Sequence, residues 1–423
     1  MSVKNKKRRY KSKSFGLVVI EVSMVFLITF LASLLLVSDD IEFRDYVNPI
    51  NILGNIITTL AVYEGEFLEI LSGDPPTQGT PLLNSTSGNN LAADNLTVYN
   101  VSTSDPDGDS VKNIINWYRN SSSLTFLNMP FEGGSNSSWT NDYSGYENEG
   151  IVSSATWNAT GGYDGWGAYE FDGNNDCIDM GDDSSHDTDE LTIAAWAYRE
   201  SDTAWMRVVS KSYYHQTPTE GSFQFIFDAD NNASRLWFNS TNESILEPYG
   251  GSTSYSAFST SVNSWPADEW VHLAYTYNGS DMTLYINGEV DVSYDRLYGN
   301  ISTSDFPLTI GCSGNNTDYQ LYFEGKLDDV YVFYEGLSAD QIKVLYQNRT
   351  DLIVSQETVL DETWYANMTP NDGSQDGIAK SSNTITIGVA DVTPAVPEFS
   401  DYAIALLLLT VVGGFFAMRR KGI

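Results

Sequence analysis

From Pro81 onward, apolar and polar positions alternate in short runs broken by Gly, Asn, Asp and Ser, which is the period of half-buried strands. The stretches "LTIAAWAYR", "SFQFIFDA", "SRLWFNS", "FPLTIG" and "GKLDDVYVFY" each read as one strand. In "VHLAYTYNGSDMTLYINGEVDVSY" the alternation runs around Asn278-Gly279 and Asn287-Gly288. Asn-Gly accepts the positive φ of a type I′ turn, so this stretch is expected to be a three-stranded meander. Helical periodicity is confined to "GLSADQIKVLY", where Ser338 and Gln341 have the spacing of a capping box and Leu337 and Ile342 that of a hydrophobic staple. The expected class is all-β.

The two ends follow a different pattern. An apolar stretch, "SFGLVVIEVSMVFLITFLASLLLV", follows a leader rich in Lys and Arg, and a second, 402–418, carries no charge and precedes Arg419, Arg420 and Lys421. As a helix the second would extend about 26 Å, close to the thickness of a bilayer's hydrocarbon. Basic residues favour the cytoplasmic side, so residues 38–398 are expected outside the cell, with a membrane helix at each end. Segment 1–37 is then a basic leader with a signal or anchor helix. No small-x-small cleavage site precedes "SDDIEF", and Gly16 to Glu21 has the spacing of a pilin-like leader with Phe15 in place of a basic residue. Cleaved, retained and pilin-like forms all stay open. Residues 38–78 read as a membrane-proximal stalk and linker, ending in "GDPPTQGTP".

Composition agrees with export. The chain has 22 basic against 56 acidic residues, a net charge of −34, and its basic residues concentrate at the ends. Such a charge repels nucleic acid. Asn-X-Ser/Thr sequons occur at Asn84, Asn95, Asn100, Asn120, Asn136, Asn158, Asn232, Asn239, Asn242, Asn278, Asn300, Asn315, Asn348 and Asn367, the pattern of a surface glycoprotein. Cys177 and Cys312 either pair in an oxidising exterior or remain separate. Closing a loop of about 135 residues would contribute roughly 4 to 5 kcal/mol in the chain-entropy model.

The tail "VPEFSDYAIALLLLTVVGGFFAMRRKGI" resembles the PEF-CTERM sorting signal of archaeal surface proteins, assigned to 391–423. The resemblance implies processing near Pro397, Glu398 and Phe399 by an archaeosortase-type enzyme and transfer to a lipid-type anchor. Residues 124–347 contain, in order, "LNMPFEGG", "GGYDGWGAYEFDGNNDCIDMGD", "LTIAAWAYR", "EWVHLAYTYNGSDMTLYINGEV" and "FEGKLDDVYVFYEGLSADQI". This order resembles the LamG-like jelly roll of the concanavalin A-like lectin/glucanase superfamily, which implies two stacked antiparallel sheets. The superfamily often holds a structural calcium, whose ligands by resemblance would be Glu132 and Asp328, with Asp142 assisting. Segments 79–123 and 348–390, with Trp117 and Trp364, together resemble one immunoglobulin-like domain. Insertion of the jelly roll into that domain between about Asn120 and Asp351, or three small units in series, are the two arrangements.

Catalytic signals are weak. A glucanase of this superfamily needs an E-x-D-x-x-E strand, and both Glu170 with Asp172 and Glu289 with Asp291 lack the second Glu. His272 lies in an alternating strand and reads as structural, while His186 and His215 fall in polar loops. The alternating Asp105, Asp107 and Asp109 of "DPDGDS" lack the distal Glu of a calcium loop and read as a turn. Aromatic loop residues Trp205, Tyr213 and Tyr214, with His215, are candidate glycan contacts. The sequence therefore points to an anchored cell-surface binding protein for glycan or protein ligands, no enzyme. A polysaccharide hydrolase and a structural envelope component are the alternatives.

Overall fold

Two antiparallel sheets stack face to face in the structure, a computed structural model that describes residues 73–389 apart from 202–204, 214–220, 240–254, 296–298 and 315–318. Both apolar ends, and with them Pro397, Glu398 and Phe399, lie outside the described residues. Among the described residues no helix is long and apolar enough to cross a membrane.

The front sheet runs, in spatial order, through Tyr255–Ser259, Ala233–Asn239, Phe223–Asp228, Met206–Ser210, Thr309–Ile310, Cys177–Asp179, Gly150–Ser153 and Trp139–Thr140. The back sheet runs Glu289–Asp295, Asp281–Ile286, Trp270–Tyr277, Leu191–Arg199, Glu324–Phe333, Ala168–Asp172 and Thr156–Asn158, and Thr125–Met129 also pairs with Glu324–Phe333. Alternate residues of both sheets meet in one core that includes Phe225, Phe227, Leu236, Tyr275, Leu284 and Val332. The period-2 pattern requires this, because successive side chains of a strand point to opposite faces. Cys177 and Cys312 are joined in a disulfide, with their Cα atoms 5.3 Å apart.

The meander is present, but its two turns differ. Asn287 and Gly288 both have positive φ (51° and 76°), as a type I′ turn demands. At the other turn Gly279 has positive φ (83°), and the Asn278 side-chain oxygen instead accepts the backbone N–H groups of Ser280 and Asp281. The helix, Ala339–Tyr346, starts at Ser338, whose hydroxyl accepts the Gln341 N–H. Its capping box is only half made. The Gln341 amide donates to the Leu352 carbonyl and accepts the Val354 N–H, tying the helix to the chain beyond it. Leu337 and Ile342 are both buried, as a staple requires.

A second core lies behind the back sheet. Ala194, Ala274, Tyr285, Tyr331 and Phe333 of that sheet pack with Leu345 of the helix and with Trp117, Trp364, Leu96 and Met368 of the flanking segments. Lys112–Arg119 pairs along its whole length with Thr363–Asn371, from Lys112 opposite Asn371 to Arg119 opposite Trp364. The segments on either side of the jelly roll are thus joined directly. Trp117 and Trp364 meet edge to face, 6.5 Å between ring centroids. Covered on both sides, the central strand "LTIAAWAYR" has lost its polar alternation.

Candidate ligand-binding site

The back sheet's outer face is taken by the second core, whereas among the described residues no front-sheet side chain belongs to that core. Strand register places Arg207, Ile226, Arg235 and Ser259 in one row across the front sheet, and Thr309, Ser210, Gln224, Trp237 and Ala257 in the next. In the Phe223–Asp228 strand the core takes Phe223, Phe225 and Phe227, so Gln224, Ile226 and Asp228 face outward. Similarly Leu236 and Phe238 point into the core and Arg235 and Trp237 away from it.

Trp205, the residue before the Met206–Ser210 strand, packs edge-on against Trp237 at 6.3 Å, and the Arg235 guanidinium lies 5.2 Å from the Trp205 ring centroid. Arg235 is also ion-paired with Asp228 and donates to the Ser259 hydroxyl at 2.7 Å. Both tryptophans are half-buried. Arg207 and Ile226 are wholly buried and Gln224 nearly so. The Gln224 amide nitrogen donates to the Ser212 hydroxyl at 2.6 Å, while its oxygen and all three Arg207 side-chain nitrogens have no hydrogen-bond partner among the described residues. Desolvation brings the Arg207 pKa down to about 9.

Of the expected glycan contacts, Trp205 joins this face. Tyr213 instead stacks on Phe306, and Tyr214 and His215 lie outside the described residues. Trp237, Gln224 and Arg207 were not picked out by sequence, although each stands at an outward phase of its strand's alternation, between residues that feed the core. A Trp, an Arg and a Gln in that phase were the available signal.

Of the expected calcium ligands, Glu132 and Asp328 share one cluster and Asp142 lies apart from it. Glu132 and Asp328 are both buried, but Lys112 reaches into their cluster from the flanking strand. Its ammonium pairs with Glu132, lies 2.6 Å from Asp164 and stands 3.9 Å from Asp329. Asp328 accepts the N–H groups of Tyr163 and Asp329. Asp328 and Asp329 reach one cluster because the strand bulges there, with Asp329 at φ 50° and the register shifting opposite Ala194 and Trp196. Burial works against the Lys112 charge, but Asp329, Glu132, Asp328 and Asp164 together hold its pKa well above the usual lysine range. Burial also pushes Glu132 up to about 7, against the pull of Lys112. Asp142 sits elsewhere, accepting the N–H groups of Asn128, Ser144 and Asn148 as a turn cap. Among the described residues no three carboxylate, imidazole or thiolate side chains form a metal-binding group. The Lys112 ammonium already supplies this cluster with its counter-charge, so the donor set as it stands does not fit calcium.

The remaining candidates are engaged individually. Glu170 pairs with Lys326 at 3.1 Å, Glu289 with Lys343, and Asp291 accepts from Ser261. The side chain of Asp105 accepts the N–H groups of Asp107 and Asp109, an Asx-type turn. Most described sequon asparagines are exposed or half-buried, but Asn239 is buried with its amide donating to the Gly221 carbonyl, and this packing leaves no room for a glycan. Asn242 and Asn315 lie outside the described residues.

Residues 172–343 match the family model described as the concanavalin A-like lectin/glucanases superfamily. The sheets extend beyond the matched part, since Thr125–Met129 pairs with Glu324–Phe333. Among solved structures, domain 4 of AbnA, an extracellular GH43 arabinanase of Geobacillus stearothermophilus in complex with arabinotriose, is 15% identical over 53% of this chain and 98% of its own, with a TM-score of 0.37. The binding domain of botulinum neurotoxin serotype G is 15% identical over 53% of this chain and 51% of its own, at 0.40. The binding domain of Paraclostridial Mosquitocidal Protein 1 is 18% identical over 52% of each chain, at 0.37. The chain spans about half the length of these two toxin domains. Likenesses of this size carry nothing about ligand. No curated protein matches the chain.

Proposed function

We propose that this is an anchored cell-surface binding protein whose jelly roll recognises glycan on the outer face of its front sheet. The observation that carries the reading is the Trp205–Trp237 edge pair, with Arg235 over Trp205, on a face that the second core leaves alone. Aromatic surfaces receive the C–H faces of sugar rings, and the amide and guanidinium groups beside them meet hydroxyls. In this reading an immunoglobulin-like base takes up the opposite sheet, the apolar ends hold the chain at the membrane, and an archaeosortase-type enzyme processes the Pro397-Glu398-Phe399 signal. The exposed sequons carry glycans on the extracellular side.

A glycan array probed with the full chain, followed by hydrolysis assays on every sugar retained, tests the proposal. Binding without turnover, weakened at least about tenfold in Trp237→Ala and Trp205→Ala, is the expected result. Turnover of a retained sugar, or binding indifferent to both substitutions, overturns it.

A further inference from the structure

The front-sheet face contains two unmet demands. Arg207 is wholly buried, and among the described residues none of its three side-chain nitrogens has a hydrogen-bond partner. Gln224, on the neighbouring strand and in the adjacent row, keeps its side-chain oxygen unpartnered while its nitrogen is spent on Ser212. A buried guanidinium without a carboxylate destabilises a fold, and the other arginine of the row, Arg235, has its carboxylate in Asp228. Asp228 is thereby committed. What the pair lacks is an acceptor anion for Arg207 and a hydroxyl donor for the Gln224 oxygen.

Resting on the glycan reading above, the geometry points to an acidic sugar of the uronic-acid type as the ligand: its carboxylate on Arg207, a ring hydroxyl donating to Gln224, and its ring or the next one against Trp205 and Trp237. Arginine suits this role, because its planar fork matches a carboxylate with two parallel N–H···O bonds. A neutral sugar would leave the guanidinium unmatched and bind less well. Since Arg207 is wholly buried in the free chain, association is expected to be slower than the ~10⁵ to 10⁷ M⁻¹s⁻¹ of preformed sites.

The test is titration of the full chain with oligomers of galacturonate, glucuronate and mannuronate, each also as its methyl ester, and with neutral oligosaccharides. At least one acid form is expected to bind tenfold or more tighter than its ester. Arg207→Met should erase that difference while retaining residual binding. Gln224→Glu supplies Arg207 with an internal carboxylate and should erase it too, which keeps the proposal testable if the first variant misfolds. Equal affinity for acid and ester forms, or an acid preference that survives both substitutions, overturns the uronate assignment and leaves glycan binding standing. If no acid, ester or neutral sugar binds, both fall.

Discussion

A charge held without a partner has a consequence for stability as well as for binding. Arg207→Met removes the buried guanidinium and keeps an apolar stem of similar length, so the free chain should gain about 1 to 4 kcal/mol as it loses its acidic ligand. Urea denaturation measures this as a higher midpoint at unchanged slope. A lower midpoint would mean that Arg207 has a structural partner and would count against the binding role. His272 makes a parallel case with a titratable group. It lies in the back sheet between Trp196, at 5.2 Å, and Tyr346, at 5.9 Å, and burial brings its pKa down to about 3. Below pH 6.5 the unfolded chain takes up a proton that the folded chain refuses, so this residue costs about 1.4 kcal/mol of stability for each pH unit down to the folded value. Other groups shift in both directions, so the measurement is a difference. The stability of His272→Phe relative to the parent should rise steadily from pH 6 to pH 4, and a flat difference would show that the imidazole is hydrated in the folded chain.

At the scale of elements, the Lys112 strand and the bulge at Asp328 and Asp329 build a cation site whose cation is part of the chain. Removing the ammonium leaves Glu132, Asp164, Asp328 and Asp329 without a counter-charge, so Lys112→Ser should cost about 3 to 5 kcal/mol. The space it opens lies among carboxylate oxygens, the ligands that calcium prefers. The variant should therefore regain thermal stability in millimolar calcium, while the parent melts at one temperature with calcium or with EDTA. A parent whose melting temperature rises with calcium would refute the substitution of ammonium for metal. Sequence revealed the carboxylates and not their partner, because Lys112 is about twenty residues from Glu132 and reaches it only through strand pairing with Thr363–Asn371. The bulge was equally hidden. Alternation would send Asp328 and Asp329 to opposite faces, and only the positive φ at Asp329 brings them together. Strands, meander and helix were legible because each is written in a local period. The Gln341 contact with Leu352 and Val354, which a capping-box reading spends on Ser338, was not, since it depends on what the helix packs against.

Over the whole molecule, the jelly roll and the segments flanking it share a core. Leu124, Tyr331, Phe333, Leu337, Ile342 and Leu345 come from residues 124–347, and they pack with Leu83, Trp117, Ile353, Trp364 and Met368 from outside that range. The Trp117 indole N–H, moreover, donates across to the Thr350 carbonyl, so the base is fastened at the point where the chain returns to it. Flanking segments whose apolar face is covered by the jelly roll have no separate reason to be stable. About half of that core belongs to the jelly roll, and burial at about 25 cal/mol per Å² is lost wherever that half is removed. The described fold is therefore expected to melt in one cooperative transition, with near-UV circular dichroism and calorimetry reporting the same midpoint. Deleting 124–347 and rejoining the ends should leave a remnant without a cooperative transition, even though the Lys112–Arg119 and Thr363–Asn371 strands would still be present to pair. Two separated transitions in the full chain, or a remnant that melts cooperatively, would show that the base folds on its strand pairing alone and that the shared core adds only affinity between two independent domains.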